Sequence, residues 1–518
     1  MNSGASLTVG QDDRKLRFSP DDLELFSSAS HDRNPLHMSA DYARKTPYGN
    51  CVVFGVLGGL ACLGALNGRP GFHLSSITLD FISPMFAGTG YTIKTNDDGP
   101  RTATARIYDG RLLMLKMTAT FAEGPIAEGP ITEMASNPYA PTSRLEAADP
   151  DAASWFAGLT ISGQYAPSAK LLRIIERRLS LATKGVGTIH VAALMWCSYL
   201  IGMELPGRRA LFSRLSLKFA AAGKSLDTRL SYQATVAAFD RRFDLLRISA
   251  KLCGDEAELA SADLKAFVRQ NFSLASNATV ESLLPRSAAL DGQVALVVGA
   301  SRGLGAGLTQ FLSMQAATVL ANYHKSRAEA EELKEALSDA PGEIVLQQGD
   351  GGDPEVCRQM GSEIERRYGR LDCLVCNACP PLHPLWLEPG AARRISEYIG
   401  KSCALVASPM SAFLPALSAS GGWCVVVSSV VAHGQPPAEW PHYVSAKCAI
   451  EGLVRVAAVE YPSVSFLLVR PPGLLTDFTN TPLSRQEAIA PESVAAKVVR
   501  RLLGPPSPGR VEVLDDFQ

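Results

Sequence analysis

The chain has 518 residues, 46% of them apolar and 19% charged, a length at which one hydrophobic core gives way to several domains. A formal net charge of −1 supplies no basic field, so neither nucleic acid nor an anionic membrane is expected as a partner. The 11 cysteines lack framework spacing, the first residues hold no stretch of signal length, and the longest apolar run, around Cys51–Leu66, is too short to span a bilayer; a reduced, cytoplasmic protein is expected.

The first segment, 1–123, opens on a polar cluster, Ser30-His31-Asp32-Arg33-Asn34-Pro35-Leu36-His37, followed by Ala43–Gly49, Val52-Val53-Phe54-Gly55 and a small-residue-rich apolar helix. Pro35 fixes its own φ and keeps Asn34 from continuing a helix, so a stiff loop presents Asp32 and His37. This stretch resembles the MaoC-like, (R)-specific enoyl hydratase/dehydratase family, whose motif ends D-x-N-P-x-H. The resemblance implies Asp32 and His37 as an acid/base pair, Asn34 as organiser of the turn, and a backbone donor for the developing enolate near Gly55. Such a pair suits the elimination of water from a 3-hydroxyacyl thioester, which removes a C2 proton and protonates the departing hydroxyl. Two residues depart from the family pattern: His31 stands where glycine is usual, and Phe54 where histidine often precedes the oxyanion glycine.

Aligning Gly64 with Gly202 places Ser75–Phe81 on Ser213–Phe219, and Arg111–Phe121 resembles Arg242–Leu252 with a slightly changed offset. Each copy reads as an apolar helix wrapped by alternating antiparallel strands, the plan of a hotdog fold, so a tandem (double) hotdog is expected, with its second copy at 155–270. No D-x-N-P-x-H occurs there, and the second copy is expected to be noncatalytic, with His190 an ordinary helix residue. Arg208, Arg209 and Arg214 read as solvated surface charge, with contact to a phosphopantetheine or CoA phosphate as the alternative. Gly124–Ser154 and Asn271–Gly292 read as connectors.

From about residue 285 onward, short apolar runs alternate with amphipathic stretches. Val294–Val298, Thr318–Asn322, Ile344–Gln347, Leu371–Val375, Trp423–Val427 and Val464–Val469 read as buried parallel strands; Ser326–Ser338 and Pro354–Tyr368 read as helices. A doubly wound α/β (Rossmann) sheet follows. Gly299-Ala300-Ser301-Arg302-Gly303-Leu304-Gly305 joins the first of these strands to a helix, where backbone can approach a pyrophosphate closely. Asn377-Ala378, Ser428-Ser429, Tyr443-Val444-Ser445-Ala446-Lys447, Pro472-Gly473 and Thr476 then come in order.

That order resembles the short-chain dehydrogenase/reductase family. The resemblance implies Tyr443 as general acid to a carbonyl oxygen and Lys447 as the cation that lowers its pKa and holds a nicotinamide ribose. It implies Ser429, with Ser428 as a near alternative, as the hydrogen-bonding serine. The glycine turn (Gly299, Ser301, Arg302, Gly303, Leu304, Gly305) with Asn322, Asp350, Asn377, Ala378, Pro472, Gly473 and Thr476 would hold the cofactor. No acid follows the second strand at Asn322–Arg327 and Arg302 adds a cation, which favours NADPH. Cys376-Asn377-Ala378-Cys379 replaces the usual Asn-Asn-Ala-Gly, and Gly400, Lys401 and Ser402 stand where the family's helical asparagine is sought. No second ligand pair accompanies the two cysteines, so no metal is expected.

Together these features lead to a two-activity enzyme. It would reduce a 3-ketoacyl thioester, linked to acyl carrier protein or CoA, and then dehydrate the (R)-3-hydroxyacyl product in fatty acid- or polyketide-type biosynthesis. The alternative keeps only the reductase catalytic, with the hotdog pair an acyl-binding or dimerising module. A homodimer or tetramer is expected.

Overall fold

The computed structural model describes residues 14–97, 99–126, 145–151, 154–220, 230–254 and 257–517. The chain divides into two compact units, 1–270 and 271–518. Most of the expected connector at 124–154 lies outside the described residues.

The first unit contains two halves. One runs β1 (Lys15–Arg17), α1 (Pro20–Ser30), the single turns α2 (Pro35–Met38) and α3 (Ala40–Ala43), α4 (Gly55–Gly64), β2 (Phe72–Phe81), β3 (Gly90–Asp97), β4 (Thr102–Asp109) and β5 (Leu112–Glu123). The other runs β6 (Thr160–Tyr165), α5 (Ala169–Arg178), α6 (Thr188–Tyr199), β7 (Ala210–Phe219), β8 (Leu230–Asp240), β9 (Leu245–Gly254) and β10 (Ala257–Val268). All ten strands form one sheet in the order β1-β3-β4-β5-β2-β7-β10-β9-β8-β6. The strands alternate buried and exposed residues, while α4 and α6 are apolar nearly all round and lie buried in the core.

The sheet has a local two-fold at its centre. β2 and β7 pair antiparallel with Ser76 opposite Lys218, Thr78 opposite Ser216 and Asp80 opposite Arg214. Adding the repeat offset to either end of this ladder gives its other end, so the copies meet edge to edge through equivalent strands. The second part of the sequence alignment needs correction. By sheet position the mate of β5 is β10, and that of β4 is β9; Arg111–Phe121 and Arg242–Leu252 are therefore not equivalent. Strands of a hairpin share the same period of two, so a pattern match can slip by a whole strand.

The second unit runs α7 (Asn277–Leu283), β11 (Val294–Val298), α8 (Gly303–Met314), β12 (Thr318–Tyr323), α9 (Arg327–Ala336), β13 (Ile344–Gln348), α10 (Pro354–Tyr368) and β14 (Cys373–Cys376). It continues with α11 (Ala391–Ser420), β15 (Trp423–Val427), α12 (Pro441–Glu460), β16 (Ser465–Val469), α13 (Pro491–Leu502) and β17 (Val511–Leu514). Its strands form a parallel sheet, β13-β12-β11-β14-β15-β16-β17. Along β11, Ala295 and Val297 enter one core, while Val294, Leu296 and Val298 enter the other, which makes a three-layer sandwich. The strand order reverses between β11 and β14, where such sheets open a crevice for ligands.

Three features of this unit escaped the sequence. The supposed connector at Asn271–Gly292 carries α7, and its Val280, Leu284 and Leu290 are buried in the core. β17 adds a short outer strand. α11, at 30 residues, is long and apolar enough to cross a bilayer, yet its Val406, Met410, Phe413, Leu414 and Leu417 pack inside the sandwich.

Candidate active sites

The first site grows from the end of α1. Ser19 caps that helix in a reciprocal box with Asp22, and the helix stops at His31, whose φ of 58° lies in the left-handed region. A glycine takes that conformation without strain, which accounts physically for the family's preference at this position. The turn that follows is tightly tied. Asp32 Oδ1 accepts from the Asn34 amide at 3.1 Å, and its backbone oxygen accepts from Ser27 Oγ at 2.7 Å. Asn34 Oδ1 accepts from the Leu36 amide at 3.0 Å, and Pro35 starts α2.

The other half of the unit completes this site. Asn34 Nδ2 donates to the carbonyls of Gly202 at 2.7 Å and Gly207 at 3.0 Å. Ser198, on α6, donates to Asp32 Oδ2 at 2.7 Å. After α6 the chain widens into a π turn over Leu200–Glu204, and a methyl added to Gly202 would fall 2.4 Å from Asp32 Oδ1. Asp32 and His37 line one cleft of about 800 Å³, including its open mouth, together with Tyr48, Gly55, Ser198 and Gly202. Its apolar lining includes Phe81, Met85, Met114 and Phe212. Gly55 begins α4 without a side-chain cap, so first-turn amides sit at the cleft wall.

Electrostatics separate the two titratable groups. Burial raises the Asp32 carboxyl to about 7, against hydrogen bonds from Ser198 and Asn34 that favour the ion. Burial lowers His37 to about 4, and the nearby Arg269 lowers it further while the Val52 hydrogen bond opposes. His37 Nδ1 lies 2.7 Å from the Val52 carbonyl, which can only accept, so Nδ1 carries the proton and Nε2 is the free base. The ring stacks on Phe54 at 4.0 Å, so the residue that departs from the family pattern serves as a platform.

The equivalent place in the second copy is filled. A methyl on Gly64, the repeat mate of Gly202, would fall 3.1 Å from Leu179 Cβ. The nearest atom there is the Leu179 backbone oxygen, 2.9 Å away, so the end of α5 closes on Gly64 with main chain and a leucine side chain. His190 Nδ1 accepts from the Gly187 amide at 2.9 Å and caps its own helix. Of the arginine cluster, Arg209 pairs with Asp149 at 2.6 Å and Arg214 with Asp80 at 3.4 Å. Arg208 and the buried Arg269 flank the Tyr42 ring at 5.0 and 5.2 Å. Ser198, Gly202 and Arg269 carried no local signal in the sequence.

The second site lies at the crevice of the parallel sheet. Gly299 (φ 81°) and Gly303 (φ 52°) take left-handed conformations, and a methyl on Gly305 would fall 2.0 Å from the Gly299 carbonyl. Asn377 Nδ2 donates to that carbonyl at 2.9 Å, which locks the glycine turn to the end of β14 beside Ala378. Ser301, Arg302 and Leu304 complete the turn. Arg302 precedes α8 without capping it and lies 3.9 Å from Asp477, next to Thr476, whose methyl covers Gly303. Pro472 and Gly473 lead into this loop from β16, and the Gly473 carbonyl accepts from the Ile489 amide at 2.9 Å.

Asn322 lies on β12 and Asp350 just beyond β13. The Asn322 amide donates to the carbonyls of Gln347 at 3.2 Å and Gly349 at 3.1 Å. It braces the sheet, because a buried amide must satisfy its donors within the protein. Asp350 is half-exposed; it accepts from the Gly352 amide at 2.9 Å and lies 3.8 Å from His324.

At the catalytic end, α12 starts at Pro441 and puts Tyr443 and Lys447 one turn apart, with Nζ 5.6 Å from the phenol ring centroid. Lys447 Nζ donates to the Val427 carbonyl at 2.8 Å. The Ser429 side chain lies beside the Tyr443 hydroxyl and favours its ionised form. Ser428 points elsewhere, donating to Glu451 Oε1 at 2.7 Å, so of the two serines Ser429 is the one beside Tyr443. The expected lowering of the phenol by Lys447 is not what the site produces. Burial pushes Tyr443 up, Cys379 adds to this, and Ser429 opposes. Burial also lowers Lys447. The Tyr443 phenol is thereby kept protonated.

Cys379 is exposed, with Sγ 3.6 Å from the hydroxyl of Tyr398 on α11, and Tyr398 meets the His442 ring edge-on at 4.5 Å. Ser402, in the segment where the helical asparagine is sought, is buried one turn beyond Tyr398 on α11. Among the described residues no group of three or more His, Cys, Asp or Glu side chains is placed to hold a metal ion.

A glycine turn at the switch point of a doubly wound sheet, beside a tyrosine, lysine and serine, defines an oxidoreductase domain; the other unit presents an acid/base cleft. Comparison with known proteins agrees. A family model described as MaoC like domain matches residues 7–107, and one described as short chain dehydrogenase matches residues 293–487. The chain joins a MaoC-like domain to a short-chain dehydrogenase domain.

Versicolorin reductase 1 of Aspergillus parasiticus is 40% identical over 89 residues, 17% of this chain and 34% of that protein. A hydroxynaphthalene reductase-like protein of Metarhizium robertsii is 29% identical over 198 residues, 37% of this chain and 72% of its own length. The chain spans about a third of the length of the first curated relatives it matches. An alcohol dehydrogenase from Thermococcus sibiricus, solved with 5-hydroxy-NADP, is 27% identical with a TM-score of 0.40, covering 44% of this chain and 97% of that one.

Proposed function

We propose that this chain is a bifunctional acyl-thioester enzyme: an NADPH-dependent 3-ketoacyl reductase joined to an (R)-3-hydroxyacyl dehydratase built on a tandem hotdog pair. The observation that carries the reading is the separation of Asp32 and His37. One is raised to about 7 and the other lowered to about 4 within one cleft, so near neutrality a protonated carboxyl and a neutral imidazole coexist. Titratable groups pushed apart in this way identify an acid and a base.

In the dehydratase, His37 Nε2 takes the C2 proton of a 3-hydroxyacyl thioester, and Asp32 gives its proton to the departing C3 hydroxyl. First-turn amides of α4 at Gly55 stabilise the enolate oxygen. The second half carries no D-x-N-P-x-H, which supports one catalytic cleft per tandem pair.

In the reductase, NADPH when bound supplies the hydride. The close-packed glycine turn and the uncapped start of α8 suit its pyrophosphate. The absence of an acid after β12 and the presence of Arg302 favour the 2′-phosphate form. Tyr443 gives its proton to the substrate carbonyl oxygen, Ser429 orients that oxygen, and Lys447 holds the ribose. The relatives named as reductases support the direction of reaction. A fatty acid- or polyketide-type biosynthetic role and a homo-oligomer belong to the same reading. Leu453, Val456 and Val459, at 37, 65 and 83% exposure, form an apolar stripe on α12 that suits subunit contact.

The test is product analysis by mass with NADPH and a panel of carrier- and CoA-linked 3-ketoacyl thioesters. The expected products are a 3-hydroxyacyl and then a 2-enoyl thioester, with the hydroxyacyl accumulating in Asp32→Asn or His37→Ala. No nucleotide oxidation with any member of the panel sinks the reductase half, and no enoyl product sinks the dehydratase half.

A further inference from the structure

Behind the reductase site lies a buried ion pair that the chemistry described so far does not use. Arg470, the residue after β16, donates through Nε and Nη2 to the two oxygens of Glu451 at 2.9 and 2.8 Å. Each side chain is only 11% exposed. Glu451 Oε1 also accepts from Ser428 Oγ at 2.7 Å. A buried carboxylate that receives three directed donors is fixed in place, whereas two charges left in low dielectric without such bonds are not stable. Burial alone raises Glu451, but the hydrogen bonds from Arg470 and Ser428 outweigh it and the net shift is downward, so the group is an anion.

The position of this anion is informative. Glu451 lies one helical turn beyond Lys447 on α12. Ser428 immediately precedes Ser429, and Val427 accepts from Lys447 Nζ. Arg470 opens the segment that leads through Pro471 and Pro472 to the cofactor loop, and the Pro471 carbonyl accepts from Val430 at 3.3 Å. One carboxylate thus ties together the three chain segments that present Lys447, Ser429 and Gly473.

We propose that Glu451 and Arg470 are a positioning pair for the reductase site, fixing the Ser429 turn and the Lys447 ammonium relative to each other and to the nicotinamide end of the cofactor crevice. The inference rests on the reductase reading above. Other charges face these groups as well. Lys447 feels Cys379 from the end of β14 besides Glu451, and both favour its charged form against burial. Glu451 also feels His433, and Arg470 lies 3.8 Å from Asp515 just beyond β17.

The full chain is tested as Glu451→Gln and as Glu451→Gln with Arg470→Met, the second because an unpaired buried guanidinium alone can prevent folding. NADPH affinity is read by fluorescence, and kcat is followed across pH with whichever 3-ketoacyl thioester the parent reduces. In the double variant, dehydratase turnover and thermal unfolding stay near the parent. NADPH Kd rises about tenfold, kcat falls about tenfold, and the alkaline limb of kcat moves to lower pH, because Lys447 has lost a supporting anion. A folded double variant with parental Kd, kcat and pH limb overturns the pair while leaving the reductase reading intact. A parent that binds no nicotinamide nucleotide overturns that reading, and the pair with it.

Discussion

Ser198 donates a hydrogen bond to Asp32 Oδ2 at 2.7 Å although the two residues are 166 positions apart. The first copy of the repeat therefore does not own its acid. The second half of the unit supplies the hydroxyl, the π turn and the carbonyls that hold the Asp32–His37 loop. Without α6 and the segment that follows it, Asp32 would lose the Ser198 hydroxyl and Asn34 the carbonyls of Gly202 and Gly207.

Removing that hydroxyl is the sharpest test. Ser198→Ala leaves a buried carboxyl oxygen short of a donor, a loss of about 1–3 kcal/mol for a buried polar group. Dehydratase kcat is expected to fall about tenfold. Because the Ser198 bond favours ionised Asp32, its loss raises the carboxyl further, so the alkaline limb of activity moves up. An unchanged pH profile in a folded Ser198→Ala protein contradicts this coupling.

The dehydratase itself has a pH dependence that follows from the two shifts. Asp32 must be protonated to act as an acid, and this form is lost as pH rises through about 7. His37 must be neutral to act as a base, and this form is lost as pH falls through about 4. The expected kcat/KM profile is a bell with limbs near these values, measured with a 3-hydroxyacyl thioester in the full chain. A rate still rising above pH 8 rules out Asp32 as the acid.

Gly202 provides a steric test that leaves every ionisable group in place. An added methyl falls 2.4 Å from Asp32 Oδ1 and 2.8 Å from its carboxyl carbon, so the carboxyl or the π turn must shift. Displacement of a catalytic group by about 1 Å can cost about 100-fold in rate. Gly202→Ala is expected to lower dehydration by that order, with NADPH oxidation by the other unit unaltered. Equal loss of both activities points instead to general unfolding.

What the sequence disclosed follows from how each feature is built. Asp32 to His37, Gly299 to Gly305 and Tyr443 to Lys447 each lie within a few residues, so chain geometry alone brings them together. Ser198, Gly202, Arg269, Glu451 and Arg470 reach their sites only through tertiary packing, and nothing adjacent to them in sequence marks that role. The central ladder was legible because β2 and β7 are equivalent strands at a fixed offset. The outer strands were not, since the β4–β5 and β9–β10 hairpins alternate alike and a pattern match slips between them. Ser428 and Ser429 could not be told apart as neighbours; only the strand-end geometry turns one toward Glu451 and the other toward Tyr443.

Cofactor choice can be tested at one residue. Arg302 sits in the glycine turn with Asp477 3.9 Å away, and the side chain is about a third exposed, so it is reachable by a ligand phosphate. An arginine bound to a phosphate makes charge-assisted bonds that a ribose hydroxyl does not elicit. Arg302→Ala is expected to weaken NADPH binding about tenfold, equivalent to about 1.4 kcal/mol, and to leave NADH binding nearly unaltered. Because the exposed contact is screened, the NADPH preference of the parent should also shrink as salt is raised. Parallel titrations of both nucleotides at two ionic strengths decide the matter. An equal loss for NADH and NADPH removes Arg302 from the 2′-phosphate site and leaves the choice to the segment at Tyr323–Arg327.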